Sequence, residues 1–289
     1  MASVVVVHGI AKQYLGAHTL HAGLAPALLD GVRRTADPPP LTGDDIEIAF
    51  YGQWFRPPGA PARSGERAWT HRDVAEGFET DLLMALWDEA ARAHPGRVPA
   101  PEPRETHRAP TPRTVQRALY ALGKLLPARF TERFLVGVLK QVRLYLTDDA
   151  MRGQVQRCLE ECVRDDTRVL VGHSLGSVVA YEALCRHPEW PVRALVTLGS
   201  PLGVPLVFER LRPVPRSGRA LWPGSASRWT NVCDRGDVVA LVKQLAPLFP
   251  DDSRYVADVL VDNGWSAHDV VPHLTAAETG QAIVEGLRG

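Results

Sequence analysis

Several features are scarce in this 289-residue sequence, and each scarcity excludes a class of protein. Only four cysteines are present, with no Cys-X-X-Cys pair and no Cys/His cluster, so neither a disulfide scaffold nor a zinc site is expected. The 33 basic and 33 acidic residues cancel, which leaves no general argument for nucleic-acid binding. No apolar run reaches the roughly 18 residues that a membrane-spanning helix needs.

The first residues also lack the features of a targeting segment. Met1, Ala2 and Ser3 lead directly into Val4 to Val7, with no basic flank, no long apolar region and no cleavage site. The sequence therefore predicts a soluble, cytoplasmic protein. Its length suits one large domain, or one domain with an insertion.

The strongest positive signal is the segment Arg168 to Ser177. An apolar strand runs into Gly172-His173-Ser174-Leu175-Gly176, and helical spacing of apolar residues follows at once. This pattern is typical of a nucleophile elbow, in which a serine is held at a sharp strand-to-helix turn. Side chains two residues away on either side would collide, so glycines are needed at positions 172 and 176. We predict that Ser174 is a nucleophile and that His173 packs beside it rather than acting as its base.

Strand and helix patterns alternate at both ends of the sequence. The run Val4 to Val7 is continuously apolar, as strands buried on both faces of a parallel sheet are. Such alternation predicts an α/β fold, with a mostly parallel central sheet and helices on both faces. The predicted strands are 4–7, 46–51, 168–173, 193–198, 229–233 and 254–261, and the predicted helices of this part are 17–32, 176–186 and 274–287.

A helical segment interrupts this alternation. We assign 1–66 and 165–289 to the core, and 67–164 to a helical cap or lid inserted over the carboxyl edge of the sheet, where ligands bind in such folds. The expected features of the insertion are a helix over 74–94, a mobile proline-rich linker over 95–112, two helices separated by Pro127, and a helix leading to Arg164.

A serine nucleophile needs a base, and that base needs an orienting acid. In the fold that the elbow implies, these partners follow in the order serine, acid, histidine. His187 precedes any suitable acid loop, which leaves His268 and His273. We favour His268, because it lies in the loop after the last predicted strand. His273 lies near the start of the terminal helix, where a histidine is more often simply exposed.

Two aspartates follow the predicted strand 229–233. We favour Asp237 as the acid, because it is followed by the apolar residues Val238 to Ala240. Asp234 precedes a glycine-containing turn, and Asp262, beyond the next strand, is a third option. An aspartate that is not the acid is expected to be a turn or helix-cap residue.

Attack on a carbonyl also needs donors for the oxyanion that forms. We predict the backbone amide of Leu175, directly after the nucleophile, and that of Ile10, in the loop after the first strand. Gly9 permits close approach of this loop to a substrate, and His8 is expected to brace it by hydrogen bonds. Ser200 is expected either to border the pocket or to be a turn serine.

These residues resemble those of the α/β-hydrolase superfamily, and within it the serine lipases and esterases. The resemblance covers residues 1–55 and 165–289 and implies an α/β-hydrolase fold with a cap. It also implies hydrolysis of carboxylic esters through an acyl-enzyme, with Ser174, His268 and Asp237 as the triad and with no metal or cofactor. The motifs are Val-His-Gly at 7–9, Gly-His-Ser-Leu-Gly at 172–176, Thr-Leu-Gly-Ser-Pro-Leu-Gly at 197–203, Asn-Val-Cys-Asp-Arg-Gly-Asp-Val-Val-Ala at 231–240 and Ser-Ala-His-Asp at 266–269.

The insertion is basic, with seven Lys and Arg residues against one acid between Arg113 and Tyr145. Basic amphipathic helices bind anionic membrane surfaces or steer anionic substrates, and they can also be the solvated face of a cap. The expected partner is a small ester or lipid substrate, and peripheral membrane contact is an option.

The same triad would serve a thioesterase, an amidase, an acyltransferase or a phospholipase at anionic membranes. The non-enzyme alternative is a lipid- or acyl-binding protein with a vestigial triad.

Overall fold

A six-stranded, wholly parallel β-sheet forms the centre of the molecule. The computed structural model describes residues 3–56, 69–102, 111–125, 132–237, 239–251, 253–264 and 267–289. The strands pair in the order β2-β1-β3-β4-β5-β6. The predicted α/β class and all six predicted strands are confirmed. The strands are β1 Val4–Val7, β2 Ile46–Ala49, β3 Val169–His173, β4 Ala194–Leu198, β5 Arg228–Asp234 and β6 Val256–Val261.

Helices lie between the strands and cover the sheet. Within the described ranges, no helix combines the length and the apolar character needed to cross a lipid bilayer. Short 3-10 turns occur at Gly43–Asp45, Gly52–Phe55, His71–Asp73 and Ala246–Leu248. The α-helices are α1 Ala17–Arg33, α2 Phe78–Ala93, α3 Pro112–Gly123, α4 Glu132–Thr147, α5 Asp149–Glu160, α6 Leu175–Arg186, α7 Pro205–Phe208, α8 Val270–Thr275 and α9 Ala277–Arg288.

The continuous apolar strands are explained by burial on both faces of the sheet. Successive side chains of a strand point to opposite faces. Val4 and Val6 pack in a cluster with residues of α1, α8 and α9, whereas Val5 and Val7 pack in a second cluster with residues of α6 and the inserted helices. Every residue of β1 and β3 is therefore buried, as expected for central strands of a parallel sheet.

The inserted helices α2 to α5 share the hydrophobic core of one sheet face. Trp87 of α2, Leu139 of α4 and Leu159 of α5 are fully buried in the same cluster as Val5 and Leu170 of the sheet. Helix α5 also packs against α6, the helix that follows the elbow. The insertion and the sheet are therefore packed together through one continuous apolar cluster.

A buried hydrogen-bond network strengthens this connection. The hydroxyl of Tyr145, on α4, donates to Oε2 of Glu182, on α6, over 2.7 Å. It accepts a hydrogen bond of 2.7 Å from the amide Nε2 of Gln156, on α5. Nε of Arg152 lies 3.5 Å from the Glu182 carboxylate. Buried polar groups are stabilising only when they are paired, and the direct hydrogen bond between Tyr145 and Glu182 connects α4 to α6.

Three helix boundaries differ from the predictions. Helix α2 begins at 78 rather than 74, because Gly77 has a φ of 81° and interrupts the helical conformation. The predicted helix 274–287 is two helices, because Ala276 is extended with a ψ of 138°. The helix expected to reach 164 ends at Glu160.

The proline-rich segment is only partly described. Residues 95–102 contain no helix or strand, in agreement with the prediction of irregular structure there. The rest of this segment up to 110, and Pro127 with its neighbours in 126–131, lie outside the described residues.

The interruption at Ala276 allows the backbones of three helices to meet. A methyl group on Gly31 of α1 would lie 2.1 Å from the carbonyl oxygen of Leu274, and one on Gly280 of α9 would lie 2.1 Å from the carbonyl oxygen of Gly31. Real contacts are never this short, so both positions require glycine. Gly23, in the same helix α1, has no atom within 4 Å of such a methyl group.

We therefore expect opposite effects from two alanine substitutions in α1. Gly31→Ala should lower the free energy of unfolding by about 1–3 kcal/mol, because the backbone must shift. Gly23→Ala should raise it by about 0.5–1 kcal/mol, because alanine loses less conformational entropy in a helix. Urea unfolding followed by circular dichroism measures both. If the two variants changed the free energy of unfolding equally and in the same direction, the described packing at Gly31 would be contradicted.

Candidate active site

Ser174 lies at the turn between β3 and α6 in a strained backbone conformation. Its φ is 52° and its ψ is −126°, a region that residues with side chains rarely adopt. A methyl group on Gly172 would lie 2.7 Å from the carbonyl oxygen of Gly176, and one on Gly176 would lie 2.2 Å from that of Val7. The two elbow glycines are thus required by close backbone approach, for the reason that the sequence suggested.

The structure brings Ser174, His268 and Asp237 together. Nε2 of His268 lies 3.2 Å from Oγ of Ser174, and Nδ1 of His268 lies 2.8 Å from Oδ2 of Asp237. Ser174 follows β3, Asp237 follows β5, and His268 lies between β6 and α8, so the three residues meet at the carboxyl edge of the sheet. Both distances permit hydrogen bonds.

The carboxylate of Asp237 is buried and held on both oxygens. Oδ1 accepts hydrogen bonds from the amides of Val239 and Ala240, at 2.8 and 3.3 Å. Burial alone would raise the pKa of Asp237, but His268 and the ammonium group of Lys243 outweigh it and hold this pKa well below its ordinary value. Lys243 also donates to the backbone carbonyl of Asp237 over 2.7 Å. Asp237 is therefore an anion at neutral pH.

The other two aspartates have structural roles. Asp234 accepts hydrogen bonds from the amides of Gly236, at 2.6 Å, and of Asn263, and so ties the end of β5 to the end of β6. Asp262 is exposed and accepts from the amide of Gly264 over 3.0 Å. Both are turn aspartates in the described structure.

The remaining histidines occupy other positions. His273 is buried in α8, where its Nδ1 lies 2.9 Å from the carbonyl oxygen of Asp269, so the expectation that it is exposed was wrong. Its ring lies 6.2 Å from that of His173, and its Nδ1 lies 3.1 Å from the side-chain amide of Asn263, contacts that the single predicted helix did not anticipate. His187 contacts Glu160 and Glu189 at the end of α6.

The loop after β1 is braced by His8, as predicted. The backbone amide of Tyr51 donates to Nε2 of His8 over 3.1 Å, so Nδ1 carries the proton and donates to the carbonyl oxygen of Gly9 over 2.6 Å. Burial lowers the pKa of His8 to about 4, which keeps the ring neutral. The Tyr51 hydroxyl donates to the backbone carbonyl of His8. This loop is therefore fixed by buried hydrogen bonds.

The same loop lies directly against Ser174. A methyl group on Gly9 would lie 2.9 Å from Cβ of Ser174 and 2.6 Å from Nδ1 of His173. The amide of Ile10 follows Gly9, and the amide of Leu175 follows Ser174. Among the hydrogen bonds of the described residues, neither amide is a donor. These are the two amides that the sequence suggested as oxyanion donors.

Two contributors to the site were missed by the sequence reasoning. Gly199, directly after β4, has a φ of 53°, and a methyl group there would lie 2.7 Å from Oδ2 of Asp237 and 3.1 Å from Nδ1 of His268. Gly199 lies at the carboxyl end of β4, which pairs with the elbow strand β3. This position was the signal in the sequence that could have indicated its role in the site. Lys243 lies beyond β5 in a segment without a recognisable motif.

His173 and Ser200 have supporting positions. His173 is buried, and its Nε2 lies 3.0 Å from the carbonyl oxygen of His268, to which it donates. Burial, followed by the nearby histidines, lowers the pKa of His173 well below its ordinary value, so the ring is neutral. Ser200 is buried and accepts from the amide of Leu202 over 3.3 Å, which makes it a turn serine.

A cleft of about 460 Å³ opens beside the loop after β1. Its wall contains Ala11 and the 3-10 turn Gly52–Phe55 on one side and helix α4 on the other. Oε1 of Gln141, on α4, accepts a hydrogen bond of 3.1 Å from the amide of Ala11. The inserted helix is thereby joined to the loop that contacts Ser174.

No protein-family model matches the chain, and no curated protein matches its sequence. In the part of the chain that the structure describes, no group of three or more His, Cys, Asp or Glu side chains is arranged to hold a metal ion.

Gly199→Ala should displace His268 from Asp237, because the added methyl group would overlap both side chains. Gly218→Ala is the matched control, since Gly218 has a φ of 73° but no atom within 4 Å of an added methyl group. Both variants should lose about 1–2 kcal/mol of stability from the positive φ. Only Gly199→Ala should shift the far-downfield imidazole proton signal that a histidine–carboxylate hydrogen bond produces in proton NMR. An unchanged signal in Gly199→Ala would contradict the described geometry.

Proposed function

We propose that this chain is a serine hydrolase of carboxylic esters, with an α/β-hydrolase fold of the lipase and esterase type. The observation that carries the proposal is the chain of contacts at the elbow. Ser174 Oγ lies 3.2 Å from His268 Nε2, and His268 Nδ1 lies 2.8 Å from Asp237 Oδ2. Nucleophile, base and orienting acid are arranged in this way in serine hydrolases of several folds.

In the proposed first step, Oγ of Ser174 attacks the ester carbonyl carbon while Nε2 of His268 takes the hydroxyl proton. The anionic Asp237 keeps the proton of His268 on Nδ1, which leaves Nε2 free to accept, and it stabilises the imidazolium that forms. The backbone amides of Ile10 and Leu175 are the proposed donors to the oxyanion.

The imidazolium of His268 then gives its proton to the leaving alcohol, and an acyl ester of Ser174 remains. In the second half of the reaction, His268 takes a proton from water, the resulting hydroxide attacks the acyl carbonyl, and the acid is released. Ser174 regains its proton from His268, so the enzyme returns to its initial state. In both halves of the proposed reaction, every proton is therefore transferred to or from Nε2 of His268.

The division into a core and a cap is part of the same proposal. Residues 1–66 and 165–289 would be the hydrolase core, and 67–164 the cap that selects the substrate. The contact of Gln141 on α4 with the loop after β1 supports this division, because it places an inserted helix beside the proposed oxyanion donors.

The direct test is hydrolysis of short and long p-nitrophenyl esters. Ser174→Ala should lower kcat by about 10⁴-fold or more, because the nucleophile is lost. It should also abolish covalent labelling by a fluorophosphonate probe. Ser227→Ala, a change at an exposed serine at the edge of β5, should leave both unchanged. Activity or labelling that survives in Ser174→Ala would sink the assignment.

A second test separates the two aspartates at the end of β5. Asp237→Asn should lower kcat by about 10⁴-fold, because the amide favours the wrong tautomer of His268. Asp234→Asn should leave kcat largely unchanged and lower the free energy of unfolding by about 1–3 kcal/mol, because an amide nitrogen would face a backbone N–H. Steady-state kinetics and urea unfolding measure both. Equal losses of activity would show that Asp237 is not the orienting acid.

A further inference from the structure

The cleft beside the loop after β1 carries charge of a single sign. Four of its lining residues are basic, and none of the lining residues that the structure describes is acidic. Behind this wall lies the carboxylate of the fully buried Glu79, which contacts Lys140 Nζ at 3.0 Å and Arg143 Nε at 2.7 Å. The basic lining residues are Arg56, Arg133, Lys140 and Arg143.

Among the described residues of this wall, positive charges outnumber negative ones. Lys140 and Arg143 share the one carboxylate of Glu79, which leaves one positive charge in excess. The guanidinium of Arg56 donates to backbone carbonyls of the loop after β1, which carry no net charge. Among these described residues, and without counting Arg133, two positive charges therefore remain in excess. Charges of one sign in a cleft with low-dielectric walls attract ligands of the opposite sign.

The cleft is also built differently from a solvated basic surface. The side chain of Lys140 is only 17% exposed, and its Nζ lies 4.8 Å from the ring centroid of Trp69. A solvated face would leave such an ammonium group in water. The aromatic side chains that line the cleft beside the cations are Tyr14, Trp54, Phe55, Trp69 and Phe134. A wall of aromatic rings and cations fits a ligand with an apolar body and an anionic group.

The position of the cleft connects it to the proposed chemistry. Ala11 lines the cleft, and Gly9, two residues earlier, is in contact with Ser174. Two residues span at most about 7.6 Å between Cα atoms. The loop after β1 therefore borders both the cleft and Ser174.

We propose that this cleft binds the non-reacting end of the ester substrate, and that this end carries a carboxylate or a phosphate on an apolar body. This assignment of the substrate class rests on the proposed hydrolase function. The guanidinium of Arg143 would hold the anionic group by charge-assisted hydrogen bonds, together with the N–H of Lys140 that Glu79 and the carbonyl oxygen of Asp73 leave free. The aromatic wall would cover the apolar part. A monoester of a dicarboxylic acid is the simplest substrate of this kind.

The binding step is tested in the Ser174→Ala variant, where no turnover interferes. Isothermal titration calorimetry compares monomeric octyl phosphate with octyl glucoside, which has the same chain and no charge. We expect octyl phosphate to bind, and Arg143→Gln or Lys140→Gln to weaken it about tenfold each through loss of one charged hydrogen bond. Each single variant leaves Glu79 one cation, and a melting curve checks its folding.

Arg117→Gln is the matched control, since it removes one positive charge from the insertion at a residue on α3 that does not line the cleft. It should leave the affinity for octyl phosphate unchanged. Equal affinities for the two ligands would overturn the proposal, as would an equal loss in Arg117→Gln and Arg143→Gln. Binding to phosphatidylglycerol vesicles without binding to monomeric octyl phosphate would also overturn it, because the anion would then be recognised on a membrane surface.

Turnover separates the two proposals. With wild-type enzyme, kcat/KM for mono-p-nitrophenyl suberate should exceed that for p-nitrophenyl octanoate. Arg143→Gln should abolish this difference, whereas the control Arg117→Gln should leave kcat/KM for both esters unchanged. If neither ester is hydrolysed, the hydrolase function fails, and the calorimetry alone decides whether the cleft binds anions. If both esters are hydrolysed at the same rate, the function stands and the substrate class is wrong.

Discussion

The close approach of backbones at the elbow is the constraint on which the site depends. Ser174 is held at a φ of 52°, a conformation that costs of order 1–3 kcal/mol and persists only where the surroundings enforce it. They do so through several contacts: the amide of Ser174 donates to the carbonyl of Leu198 on β4, and the hydroxyl of Ser177 donates to the carbonyl of Gly172. A bulkier residue at Gly176 would meet the end of β1. The parallel sheet thus fixes the serine through three adjacent strands.

The charge of Asp237 sets the direction of the two hydrogen bonds of the His268 ring. A buried carboxylate is unfavourable unless it is paired, and here two backbone amides, Lys243 and the imidazole supply the partners. Because this group stays anionic, Nδ1 of His268 must carry a proton and Nε2 is left as an acceptor facing Ser174. His173 donates to the backbone carbonyl of His268 and holds the loop in place. The negative charge of Asp237 therefore influences Ser174 through the imidazole ring of His268, which contacts both residues.

The sequence predicted local features well and contacts between distant segments poorly. Apolar strands, the elbow glycines and the bracing role of His8 follow from spacing and from local backbone geometry. The position of Lys243 does not, since no local pattern tells which cation lies behind a buried carboxylate. The division of the last predicted helix at Ala276 was missed for a similar reason. Nothing in that segment favours an extended residue, and the interruption is explained only by the approach of α8 and α9 to Gly31, far away in the chain.

Helix α4 links the proposed selection of substrate to the proposed catalytic residues. One part of it places Lys140 and Arg143 at the cleft, and its last turns place Tyr145 in the buried network with Glu182 on α6, the helix that starts at Ser174. Segments joined only by a small polar interface are expected to move relative to each other. Here the inserted helices share a continuous apolar cluster with the sheet, so the cleft is held at a fixed position relative to the serine. Discrimination between substrates would then depend on the charge and shape of this wall rather than on the opening of a hinged lid.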